Sequence, residues 1–146
     1  MHSIRTEAVI PASPERVYAV LADFARYPEW NPLNLEAHGE ARLSARVPMV
    51  FRDLPGKPGA VIRQTVRIVA AEPGGELAWA GHVPLILKGR HGFLLTPEGE
   101  GTRVVHTEVL SGLLPSTWSA ERIARDFVPA YEAVNTALAA RVASLG

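Results

Sequence analysis

The chain has 146 residues, 47% apolar and 21% charged, the proportions of a soluble globular protein with enough chain to bury one substantial core. Fifteen lysines and arginines balance fifteen aspartates and glutamates, so no global field steers the molecule toward nucleic acid or an anionic membrane. There is no cysteine, which excludes disulfides, thiolate nucleophiles and Cys-ligated zinc.

The opening stretch from Met1 to Glu7 lacks the continuous apolar run of a secretory signal. No segment approaches the roughly eighteen apolar residues of a membrane-spanning helix. One domain spanning residues 1–146, cytoplasmic and without an integral membrane segment, is the expectation.

In chain order, Ile4 to Ile10 alternates as a strand, with Ile4, Thr6, Ala8 and Ile10 on one face. Pro11 ends it. Ser13-Pro14-Glu15 then carries the marks of a helix start: a capping serine, proline at the first helical position and an acid in the first turn. Val17, Val20, Leu21 and Phe24 form its buried side, and Asp23 to Trp30 is a second short helix or turn limited by Pro28 and Pro32.

From Leu33 the period changes to two. Leu35, Ala37, Gly39, Ala41 and Leu43 share one face of a predicted strand, and Val47, Met49 and Phe51 continue on the next. Arg52 to Gly59, with Pro55-Gly56 and Pro58-Gly59, is a loop. Val61 to Ala70 places Ile62, Gln64, Val66 and Ile68 opposite Arg63, Thr65 and Arg67, and Pro73-Gly74-Gly75 turns the chain. Leu77, Trp79, Gly81 and Val83 face together, then His91, Phe93 and Leu95, then Val104, His106, Glu108 and Leu110. Val83 to Leu87 is apolar for a connection and reads either as a lid or as an extra buried strand segment.

Pro115 to Leu145 reads as one long C-terminal helix, with Phe127, Tyr131, Val134, Leu138, Val142 and Leu145 along one stripe. That stripe needs cover, and only the strands between residues 34 and 112 offer enough apolar surface. Pro129 is expected to kink the helix.

This order of elements resembles the START-like, or SRPBCC, superfamily, which includes polyketide cyclase/dehydrase-like proteins and lipid-transfer domains. Three stretches carry the resemblance: Ile10 to Tyr18 running on to Asp23 to Pro32; Leu77-Ala78-Trp79 after the Glu72-Pro73 turn; and Gly101 to Glu108. The match departs at Ser44-Ala45-Arg46, where many relatives have a hairpin glycine. The resemblance implies an α+β helix-grip fold: a curved antiparallel sheet of about six to seven strands around the long C-terminal helix, with two short helices after the first strand and a cavity between sheet and helix.

The same place draws attention on physical grounds. His106 and Glu108 sit on the face that Val104 and Leu110 assign to the interior, where an unbonded polar group costs about 1 to 3 kcal/mol. They are candidates for a general base and its neighbour. The alternative is that they hydrogen-bond each other or nearby strands, or that Glu108 reaches solvent at the rim. His91 shares the face of Phe93, whereas His82 falls opposite Trp79 and points out. His82, His91 and His106 therefore do not form a familiar metal-ligand spacing, and no metal or cofactor is implied. Trp30 and Trp79 are candidate aromatic walls, with core packing as the alternative, and Phe127 and Tyr131 on the helix stripe face the same space.

There is no Gly-x-Ser-x-Gly elbow, and Gly99-Glu100-Gly101 lies in a hairpin rather than before a helix. Three readings remain: a module binding a small hydrophobic or lipid-like compound through Trp30, Trp79, His91, Phe93, His106, Glu108, Phe127 and Tyr131; a polyketide cyclase or dehydratase-type enzyme in which His106 or Glu108 moves a proton; and a protein-interaction module with no real cavity.

Overall fold

The computed structural model describes residues 1–146. Seven antiparallel strands form one curled sheet in the order β1-β7-β6-β5-β4-β3-β2: β1 (His2–Ile10), β2 (Asn34–Ala37), β3 (Arg46–Arg52), β4 (Val61–Glu72), β5 (Glu76–Val83), β6 (Leu87–Glu98) and β7 (Gly101–Ser111). Between β1 and β2 lie α1 (Pro14–Ala22), a 3-10 turn at Phe24–Arg26 and α2 (Tyr27–Trp30). After β7 come a 3-10 turn at Pro115–Thr117, α3 (Ala120–Asp126) and α4 (Val128–Leu145).

The helix ends follow from local chemistry. Ser13 Oγ accepts from the Arg16 amide at 3.3 Å, with Pro14 in the first turn where its missing N–H costs nothing. Ser119 Oγ does the same for Arg122 at 3.1 Å. This second cap corrects the expectation of one helix from Pro115: the C-terminal segment is a 3-10 turn and two helices, divided at Phe127. Pro129 supplies no N–H to the carbonyl four residues back and so stands in the first turn of α4 rather than in mid-helix.

One apolar cluster of 29 buried residues fills the space between the concave side of the sheet and the helices. α4 contributes Tyr131, Val134, Leu138 and Val142, together with Asn135, whereas Leu145 at its end is 63% exposed. α4 packs against β1, β7, α1 and α3. On the far side of the cluster, buried Tyr27 donates its hydroxyl to the Leu21 carbonyl at 2.6 Å, tying α2 to α1.

The first sheet hairpin departs most from the expected alternation. β2 ends at Ala37, and a register shift between Asn34 and Glu36 buries Asn34 and Ala37 while Leu43 is 60% exposed. A bulge puts two residues against one, which breaks the period-two pattern. Residues 38–45 are a connection, not a strand, and Ser44 adopts φ +69° there. Its amide still bonds the Ile68 carbonyl at 2.9 Å, so pairing with β4 holds a serine in the left-handed region. The stretch Val83 to Leu87 is not an extra buried strand: Pro84–Ile86 is a hairpin turn between β5 and β6, with Leu85 84% exposed. The Leu85 and Ile86 carbonyls accept from Leu113 and Leu114 at 3.0 and 2.9 Å, which pins the turn to the segment after β7.

A left-handed conformation costs a non-glycine residue about 1 to 2 kcal/mol, partly offset by the extra freedom glycine has when unfolded. Ser44→Gly is therefore expected to stabilise the protein by about 0.5 to 1 kcal/mol in denaturant unfolding; a loss of stability would show that the serine side chain supports the turn.

Candidate functional site

The strand register builds the site. His91 on β6 pairs directly with Glu108 on β7 and with Trp79 on β5, and the adjacent row pairs Phe93 with His106 and His106 with Thr6 on β1. All these side chains point to the concave face, beneath α4. Trp79 and His91 stack with centroids 5.0 Å apart and planes within 2°. His106 lies between two rings, Phe93 at 4.1 Å and Tyr131 at 4.7 Å.

A chain of polar contacts runs through this aromatic stack. Asn135 Nδ2 donates to Thr6 Oγ1 at 2.8 Å, and Asn135 Oδ1 faces His106 Nδ1 at 3.0 Å. His106 Nε2 is 2.6 Å from His91 Nε2, and His91 Nδ1 is 2.8 Å from Glu108 Oε2. This last contact is close but does not point the ring N–H along the line to the oxygen, so buried Oε2 has no aligned hydrogen bond. His106 and Glu108 thus do not bond each other; His91 stands between them.

Burial, first, and neighbouring His91, second, push the His106 imidazole well below its ordinary range; the Asn135 oxygen and a backbone contact from Tyr131 oppose them. Because Asn135 Nδ2 donates to Thr6, its Oδ1 is the atom that accepts from His106 Nδ1. Burial and the charge of Glu108 push the Tyr131 phenol well above its ordinary value, which keeps its hydroxyl protonated.

Beside this stack a cavity of about 130 Å³ opens between the sheet and the helices. Its floor includes Gly81 and Gly89, which face each other across β5 and β6. A Cβ on Gly81 would come within 2.8 Å of the Gln64 side chain, and one on Gly89 within 3.0 Å of Glu108 Oε1. The missing side chains are therefore what leaves the floor clear. Arg52 to Pro55 from the loop after β3, with Leu114 and Trp118 ahead of α3, surround the mouth. Arg122 Nη2 donates to the Pro55 carbonyl at 3.0 Å and ties that loop to α3.

Of the residues singled out from sequence, Trp79, His91, Glu108, Phe127 and Tyr131 line the cavity. His106 and Phe93 do not: they are 0% and 1% exposed and lie behind His91 in the core. Trp30 does not either. The turn at α2 packs it on Tyr27, with centroids 5.3 Å apart, and it lines a separate groove with Arg16, Arg26 and Arg141. His82 is on the exposed outer face. Sequence reasoning missed Asn135 and Thr6. Asn135 lies four residues after Tyr131, one turn further along the same helix stripe, and a polar residue at that spacing was the available signal.

A curled antiparallel sheet gripping a C-terminal helix, with two short helices after the first strand and a cavity on the concave side, defines a helix-grip protein of the START-like class. A family model described as polyketide cyclase / dehydrase and lipid transport matches residues 1–143, and the chain belongs to that family. Solved structures of similar shape include a START superfamily protein from Mycobacterium smegmatis, 18% identical, covering 100% of both chains, with a TM-score of 0.81. TTHA0849 from Thermus thermophilus is 21% identical over 99% of each chain, with a TM-score of 0.78. CV1439 from Chromobacterium violaceum is 20% identical, over 97% of this chain and 98% of that one, with a TM-score of 0.73. At these identities the likeness establishes the fold alone. No curated protein matches the chain.

The depressed His106 has a consequence for stability. In the unfolded chain this histidine takes up a proton as pH falls through about 6.5, while the folded protein keeps it neutral until well below that. Across that interval the unfolded state binds more protons, so stability falls as pH falls, by at most about 1.4 kcal/mol per pH unit for one group. His106→Gln is expected to flatten the loss below pH 6.5 in urea unfolding, and an unchanged slope would contradict the neutral buried state.

Proposed function

We propose that the protein binds one small, uncharged hydrophobic compound in the cavity between the sheet and α4. The observation that carries this reading is the cavity itself: about 130 Å³, with 12 of its 21 lining residues hydrophobic. Apolar cavities of roughly 150 Å³ hold a benzene ring, so the enclosed part suits a ring-sized group rather than a full acyl chain. A longer ligand has room to extend only through the mouth between Pro55 and Leu114. The family's association with polyketide chemistry and lipid transport agrees with a hydrophobic ligand. An interaction module without a cavity requires a filled interior, which this cavity speaks against.

An enzymatic reading has one observation in its favour. His91 and Glu108 stand together on the cavity wall, where a proton could pass between them and a bound compound. The base would then be Glu108 or His91, since His106 has no face on the cavity. In that case Glu108→Gln would abolish turnover of a substrate while binding persists.

The binding reading is tested at the floor. Gly81→Val adds a branched side chain to the floor and displaces the flexible Gln64 amide, which a Cβ there would meet at 2.8 Å, so both take up cavity space. Toluene, detected by shifts in the amide signals of β5 and β6, is expected to bind the natural protein and to lose at least about tenfold in affinity in the variant, since the space it needs is filled. Undiminished binding in a folded Gly81→Val protein would place the ligand elsewhere.

A further inference from the structure

Glu108 hides one carboxylate oxygen and offers the other. Oε2 is buried beside His91 Nδ1, at 2.8 Å. Oε1 stands over Gly89, where only the absence of a Cβ leaves room beside it, and it receives no hydrogen bond from the chain. An acceptor oxygen facing a largely apolar cavity lacks a donor, and supplying one recovers the desolvation cost of a charged or strongly polar group.

The hydrogen bonds behind this oxygen run in one direction. With Asn135 Nδ2 committed to Thr6, its Oδ1 accepts from His106 Nδ1. The bare His106 Nε2 then accepts from His91 Nε2, and His91 Nδ1 is left facing Glu108. The polar chain thus ends toward the cavity in an acceptor oxygen rather than in a cationic donor aimed at a ligand. At the mouth Arg52 and Asp53 carry opposite charges. On the same wall Tyr131, its ring 5.2 Å from that of His91, stays protonated, and its hydroxyl has no partner within the chain, which leaves it free to donate. The inner wall therefore presents an acceptor, Glu108 Oε1, and a donor, the Tyr131 hydroxyl.

We propose that this wall selects an uncharged ring-sized compound bearing a hydroxyl, which donates its O–H to Glu108 Oε1 and accepts from the Tyr131 hydroxyl. This rests on the cavity-binding reading and adds the polar group that the ligand must carry. A hydroxyl satisfies both wall groups at once. A carboxylate cannot donate to Glu108, and a plain hydrocarbon leaves both unpaired.

The test uses the full chain and three probes, toluene, phenol and benzoate, titrated while the amide signals of Gly81 and Gly89 are followed. Phenol is expected to bind about tenfold more tightly than toluene, and benzoate at least about tenfold more weakly than phenol. Glu108→Leu is expected to bring phenol and toluene to within about threefold of each other. Should that variant fail to fold, Tyr131→Phe removes a single oxygen and is expected to reduce the preference by about threefold or more. Equal binding of toluene and phenol to the natural protein, with shifts at both glycines, would overturn hydroxyl selection and leave the cavity reading standing. Failure of all three probes to move those signals would overturn both.

Discussion

The structure depends on keeping a fully buried imidazole satisfied. His106 has no access to water, and each of its ring nitrogens needs a partner or costs about 1 to 3 kcal/mol. One partner comes from α4 through Asn135, the other from β6 through His91. Thr6 on β1 completes the chain by taking the second end of the Asn135 amide. A single polar ring thus joins the terminal helix to three adjacent strands, at a place where apolar contacts alone would allow the helix to slide. Phe93 and Tyr131 close over its two faces, so the ring cannot turn without opening the core.

The cavity lies on the other side of that joint. Once His106 is held behind His91, the polar chain ends at Glu108, on the cavity wall. The paired glycines of β5 and β6 keep the floor bare, and the division of the terminal segment at Phe127 brings α3 and Trp118 to the mouth. The core is dense everywhere around this hollow: Leu77, Val104 and Leu138 have no exposure at all. The cavity lies where strand backbone without side chains meets the junction between α3 and α4.

Much of the fold was legible in the residues. Alternation assigned Val66, Ile68, Phe93, Leu95, Val104 and His106 to the interior, and all are buried. Alternation gives faces but not pairing, however. That His91 lies opposite Glu108 and diagonal to His106 is a matter of register, and register is settled by how seven strands align, not by any one of them. This is why the neighbour of Glu108 proved to be His91. Local irregularity accounts for the other misses. The bulge in β2 broke the alternation expected for Asn34 and Leu35, the strand stopped at Ala37 short of the expected run to Leu43, and Ser119 started a helix where a continuous one was expected. Trp30 was misplaced because a four-residue helix has no periodicity from which to read a face.

The direction of the hydrogen bonds through His106 decides what the cavity wall offers a ligand, and it can be read directly. Long-range nitrogen–proton correlation spectra of the histidine rings at neutral pH report which nitrogen carries the proton. We expect His106 to be neutral, protonated on Nδ1, with Nε2 showing the shift of an acceptor bonded to His91. A neutral ring with the proton on Nε2, or an imidazolium, would contradict the arrangement, because the hydrogen bonds from Asn135 through His106 to His91 would no longer run in one direction.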